Sequence, residues 1–138
     1  MCSSDLEENT EFILLLRGVK PDLRRPRVRK ILEEVGLEGM EHRRPSELSG
    51  GQQQRVAVAR ALAAEPDLIL ADEPTANLDS RTAQSLLGLL ERLNREHGTT
   101  FIYSTHDPEV MKRAHRIVTL TDGRIKSDVI VPENHIKP

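Results

Sequence analysis

The sequence predicts an α/β fold: a parallel sheet packed with helices. Two observations carry this. Leu68 to Ala71 is a continuous apolar run of strand length, the pattern of a strand covered on both faces in a parallel sheet. Apolar residues at helical spacing stand on either side of it, with Val28, Ile31, Leu32 and Val35 at i, i+3, i+4 and i+7, and Leu86, Leu90 and Leu93 along one face further on.

Composition bounds the reading. A length of 138 residues, with 37% hydrophobic and 30% charged, suits one domain with a packed core and a wet surface. Twenty Lys and Arg against 22 Asp and Glu leave a formal charge of -2, so no global basic field recruits nucleic acid or anionic membrane. Cys2 is the single cysteine, which excludes an internal disulfide and a Cys-based metal cluster and fits a reducing cytosol. No apolar run approaches bilayer-spanning length, and the N-terminus lacks a signal-peptide pattern. Membrane contact is expected only through a partner.

In chain order, residues 1–11 are polar and show neither period, so a non-native or disordered end is expected there. Cys2-Ser3-Ser4-Asp5-Leu6 is also what one reading frame of a common sequencing adapter encodes, and the expectation is an artefact of a truncated gene. Phe12 to Leu16 is a short apolar run stopped by Gly18. Arg24 to Lys30 is the densest basic run; it lacks interleaved aromatics and reads as the solvated face of a helix from Pro26 to Gly36, with no nucleic acid expected.

Leu48-Ser49-Gly50-Gly51-Gln52-Gln53-Gln54-Arg55 comes next. Two glycines allow close backbone approach, and a helix N-terminus with partial positive charge follows, which is the construction of an anion seat. Ser49 and Gln52 also have capping-box spacing, so an ordinary helix start is the plain reading. Residues 53–64 are largely apolar and imply a helix buried on several faces, ended by Pro66 and Asp67. Asp72 and Glu73 follow the apolar strand, where parallel sheets place ligands. They are either a polar turn before Pro74 or a functional pair.

Asp79 or Ser80 can cap the next helix, which Gly98 ends. Thr99 to Ser104 reads as a strand, Asp107-Pro108 as a helix start, and Ile117 onward as a hairpin turning at Asp122-Gly123 and closing the domain. Residues 132–138 read as a loose tail.

Leu48 to Arg55, Leu68 to Thr75, Asn77-Leu78-Asp79 and Ser104 to Asp107, in this order, resemble the ATP-binding cassette (ABC) ATPases, the nucleotide-hydrolysing subunits of ABC transporters. Leu14 to Gly18 is similar to the lipoprotein-release and macrolide-export branch. The resemblance implies the C-terminal part of a P-loop NTPase-type parallel sheet core with a small helical subdomain. Residues 12–52 would be that subdomain with the signature motif, and 53–131 the C-terminal part of the catalytic core. It implies ATP and Mg2+ as cofactors, with Asp72 holding magnesium through water and Glu73 orienting or deprotonating the attacking water. His106 would contact the γ-phosphate. Asn77, Leu78 and Asp79 would be the D-loop. Ser49, Gly50, Gly51 and Gln52 would bind the ATP of a second, facing cassette, completing a homodimer. The other histidines, His42, His97, His115 and His135, match no family position. The partners implied are that second subunit and a transmembrane permease, placing the protein on the cytoplasmic face of the cell membrane.

No glycine is followed by lysine, as a Walker A loop requires; the only glutamines are Gln52, Gln53, Gln54 and Gln84, and the adenine-stacking aromatic is absent. The expectation is therefore a fragment inactive by itself. Two alternatives stand beside it: an ABC-type ATPase of DNA maintenance, whose long heptad arms have no counterpart here, and a non-catalytic interaction module offering only its signature face.

Overall fold

The structure, a computed structural model, describes residues 5–132. The elements run α1 (Leu6–Leu16), α2 (Pro21–Glu34), a 3-10 turn (Pro45–Glu47), α3 (Gly50–Ala63), β1 (Leu68–Asp72), α4 (Ser80–His97), β2 (Thr100–Ser104), α5 (Pro108–Met111), β3 (Arg116–Thr121) and β4 (Arg124–Ile130). β1 and β2 pair in parallel, Leu68 opposite Thr100 through Asp72 opposite Ser104. β3 and β4 form a separate antiparallel pair.

The expectation of a disordered N-terminus is corrected within the described residues. Residues 6–11 are helical, capped by Asp5, whose side chain accepts from the Glu8 N–H at 2.9 Å. Leu6, Thr10 and Leu14 recur at i, i+4 and i+8 and are fully buried, a stripe interrupted by a polar residue and so too sparse in apolar positions to read as a period. The first free N–H groups of α1 donate to the Arg43 and Glu41 carbonyls at 3.0 and 2.9 Å.

α2 begins at Pro21, five residues before the expected start, and carries Pro26 inside. Pro26 forfeits the bond to the Asp22 carbonyl, while Arg24 Nε ties the entry by donating to the Val19 carbonyl at 2.7 Å. The helix closes on Gly36 at φ +75, with the Leu37 N–H donating to the Leu32 carbonyl at 2.8 Å. Its last carbonyls are held from two other helices. Arg55 of α3 donates to the Val35 carbonyl at 2.7 Å and to Ser85 Oγ at 2.8 Å, and Arg92 of α4 donates to the Glu34 carbonyl. Burial pulls the Arg55 guanidinium pKa down, with Arg92 adding to the effect.

Two further expectations change. α3 buries one stripe, Val56, Ala59, Leu62 and Ala63, while Ala57 and Arg60 are exposed. The sheet is likewise covered on one face only. Ile69 is buried and Phe101 and Tyr103 pack against the helical core, whereas Leu70 is 73% exposed on the other face beside Leu68 and Ile102. Among the described residues nothing covers that second face.

α4 follows expectation. Asp79 caps it, Leu86, Leu90 and Leu93 are buried along one face, and Gly98 ends it at φ +68. The hairpin also forms as read, with Asp122 and Gly123 both at positive φ. It does not close the core, since every β4 residue is exposed and Arg116 forks onto Asp128 at 2.8 and 2.7 Å. No described helix is long and apolar enough to cross a membrane. Most of the tail, like the first four residues, lies outside the described residues.

Candidate functional site

The ends of β1 and β2 carry the first group of residues. The ladder runs one residue beyond the strands, with the Glu73 N–H donating to the Ser104 carbonyl at 2.8 Å. This sets the Glu73 carboxylate beside the residues that leave β2. His106 Nδ1 lies 2.6 Å from Glu73 Oε1, and Thr105 Oγ1 donates to Oε2 at 3.1 Å. Hydrogen bonding from His106, against a smaller desolvation effect and helped by Thr105, holds the Glu73 carboxyl below its ordinary pKa. Glu73 takes φ +45, an uncommon backbone state for a side chain of its size and one that clusters at functional sites. His106 is 92% exposed, so its ring is presented outward.

Asp72 ends β1 opposite Ser104 with an exposed side chain. Among the described residues no group of three His, Cys, Asp or Glu could hold a metal by itself. One strand-end carboxylate with room around it fits Mg2+, which keeps waters and takes one or two carboxylates plus substrate oxygens.

The second group sits at the start of α3. Ser49 Oγ accepts from the Gln52 N–H at 3.3 Å, and Gln52 Oε1 accepts from the Ser49 N–H at 2.9 Å. The capping box is therefore formed, and it leaves the Gly50 and Gly51 N–H groups without protein partners among the described residues. The plain reading is met: the helix is capped, and two donors of its first turn remain without protein partners among the described residues. Asn77 (φ +63) and Leu78 line a cleft with Gly50, Gln53 and Gln54, while Asp79 caps α4 through Thr82. The structure thus brings Glu73 and His106 together, with Asp72 beside them, and sets Gly50 beside Leu78 and Gly51 beside Thr82, while Ser49 and Gln52 bond each other.

Residues 3–76 match the family described as ABC transporter. The chain belongs to the ABC transporter family. It is 50% identical over 124 residues to the ABC transporter ATP-binding protein YtrE of Bacillus subtilis, covering 90% of this chain and 54% of that one. It is 47% identical over 121 residues to the lipoprotein-releasing system ATP-binding protein LolD of Bordetella pertussis, covering 88% and 52%. The dimeric post-hydrolysis structure of the ATP-binding cassette MJ0796 bound to ADP and Pi superposes with a TM-score of 0.80 at 40% identity, covering 94% of this chain and 58% of that one. The chain therefore spans about half the length of the curated relatives it matches.

Three threonines at the site have no role in the sequence reading, though Thr75 and Thr105 lie inside its motif segments. Thr105 holds Glu73 and also accepts from the Asp107 N–H at 3.0 Å. Thr75, buried, donates to Asp107 Oδ2 at 3.1 Å. Thr82 donates its hydroxyl to Asp79 Oδ2 at 2.6 Å. The Thr-x-Asp spacing of 105 and 107 is a local turn signal that could have marked Thr105. The Asp79-to-Thr82 spacing is likewise a local capping signal, whereas Thr75 acts across elements and leaves no such trace.

Proposed function

We propose that this chain is part of the ATP-binding and ATP-hydrolysing subunit of an ABC transporter that powers export or membrane extraction through a separate membrane subunit. The observation that carries the proposal is the Glu73–His106 pair at adjoining strand ends, with Asp72 next to it. In the whole protein two cassettes would sandwich ATP, one supplying Asp72, Glu73 and His106 and the other Ser49, Gly50, Gly51 and Gln52. Such a protein would lie on the cytoplasmic face of the cell membrane, held there by its permease. When bound, ATP with Mg2+ supplies the phosphoryl group and the charge neutralisation.

The residues divide the remaining work. The Gly50 and Gly51 N–H groups donate to phosphate oxygens at the positive end of α3. His106 presents its free ring face to the same anion. Each Glu73 oxygen accepts one hydrogen bond here, and a carboxylate has roughly four acceptor positions, so capacity remains to orient a water and accept its proton. Asp72 would take the magnesium's water shell. The 138-residue chain alone would be inactive, because the loop that cradles the β- and γ-phosphates is not in it.

The test uses a whole-length cassette carrying this sequence. Glu73→Gln keeps the shape and removes the base, so hydrolysis should fall about 100-fold or more while ATP binding persists. A variant that hydrolyses ATP at the parent rate would overturn the assignment of Glu73 and with it this reading of the strand ends.

A further inference from the structure

Gly51, the second residue of α3, is buried against the first turn of α4. A Cβ placed on it would collide with the Thr82 methyl group and come to 3.8 Å from the Thr82 Cβ. Gly51 does not have a positive φ, so its backbone conformation is open to any residue; what it requires is the space that Thr82 fills. The polar side of Thr82 faces the opposite way. Its hydroxyl donates to Asp79 Oδ2 at 2.6 Å and its N–H to Asp79 Oδ1 at 3.0 Å.

The turn that Asp79 ends is itself fixed to the end of β1. The Ala76 N–H donates to the Glu73 carbonyl at 3.0 Å, and the Leu78 N–H donates to the Thr75 carbonyl at 3.2 Å. Leu78 stands 3.5 Å from the point a Cβ on Gly50 would occupy. One threonine therefore packs its methyl against Gly51 and ties its hydroxyl to Asp79 at the end of that turn.

We propose that Thr82 is a positioning residue whose methyl sets the distance of the Gly50–Gly51 donors from α4 and whose hydroxyl fixes Asp79, so that the α3 donors and the Glu73 end of β1 keep one spatial relation. Close packing makes this a rigid link, because interdigitated neighbours leave no room for one to move without the other. The phosphate role of the α3 donors rests on the function proposed above; the packing contact does not.

The experiment is a double-mutant cycle in the whole chain. Gly51→Ala replaces a poor helix former with the best one and would stabilise an unconstrained helix. Here it should instead speed amide exchange at Gln52 and Thr82 about tenfold, the scale of coupling between residues in contact. Thr82→Ser removes only the methyl and keeps both bonds to Asp79, so the same Gly51→Ala change in that background should leave exchange at the level of Thr82→Ser alone. Thr82→Val keeps the branched shape and loses the hydroxyl, and should loosen residues 79–83 without touching the cap at Ser49.

The functional arm is ATP-dependent association of this chain with an intact homologous cassette. Gly51→Ala and Thr82→Val should each weaken it about tenfold, and Thr82→Ser should rescue Gly51→Ala to within about threefold. A Gly51→Ala effect that is undiminished in the Thr82→Ser background, or a Thr82→Val chain that matches the parent in both measurements, overturns the proposal. Rescue in exchange with no ATP-dependent association of the parent chain upholds the positioning contact and sinks the phosphate-seat reading alone.

Discussion

The start of α3 and the joined ends of β1 and β2 are held by opposite means. At the helix, Ser49 and Gln52 satisfy each other across three residues, so the geometry of Gly50 and Gly51 exists wherever α3 exists. At the strand ends, Glu73 and His106 are 33 residues apart in the chain and meet only while β1 pairs with β2 above the helical core. The helix end is thus a local structure that tertiary packing orients, whereas the strand-end pair is a product of that packing. Loss of stability should therefore dismantle the carboxylate–imidazole pair before the capped start of α3.

The largest effect on this contrast should come from Leu90→Ala. Leu90 is 2% exposed in the α4 face that packs beneath the sheet. Removing it should cost about 2–5 kcal/mol, through lost transfer energy and the cavity left behind. In a urea titration followed at both sites, the Glu73–His106 bond should disappear at lower urea than protection of the Gln52 amide. A single shared midpoint would show that the two ends form one cooperative unit and break the contrast.

Gly36→Ala should come next. Its φ of +75 penalises any Cβ, and the added atom would come to 3.0 Å from Arg55 Nη1, disturbing the guanidinium that holds the Val35 carbonyl. A loss of about 1–2 kcal/mol in thermal or chemical melts is expected from the backbone term, and more if Arg55 cannot shift. Ser49→Ala should cost about 1 kcal/mol, the usual value of a lost N-cap. Its signature is faster exchange at Gln52 with the Glu73–His106 contact unchanged, which sharpens the claim that the helix end is local.

The smallest effect is a difference in titration. Glu73 is held below the ordinary carboxylate pKa chiefly by the bond from His106, and Asp79 chiefly by the bond from the Thr82 hydroxyl, three residues away. Both folded values lie below the unfolded ones. Each carboxylate therefore adds stability that is fully present above about pH 4, the unperturbed range, and is lost as pH falls through its folded pKa. Carboxyl carbon shifts should show His106→Ala moving Glu73 upward and leaving Asp79 where it was. In mild denaturant Glu73 should return to its ordinary value first. Equal movement of both would mean that the two sites share one environment.

Much of this was legible from neighbouring residues. Ser49 with Gln52, Asp79 before Ser80, Asp107 before Pro108, Gly36, Gly98 and the Asp122-Gly123 turn all declare their structures through contacts within a few positions, and all form as read. The helix over residues 6–11 was hidden because its buried stripe is Leu, Thr, Leu, and a buried threonine does not register as apolar.

The sequence by itself determined the capped starts of α3, α4 and α5, the glycine ends of α2 and α4 and the hairpin turn, because caps, turns and apolar spacing act over one or two turns of chain. It also supplied the motif residues of an ABC cassette in order. Only the tertiary structure decided that Glu73 meets His106 and Thr105, that Thr82 lies on Gly51, and that one sheet face stays bare. Those facts depend on which side chains reach each other across β1, β2, α3 and α4. Such contacts join residues tens of positions apart, and their energy appears only once the intervening chain has folded to bring them together.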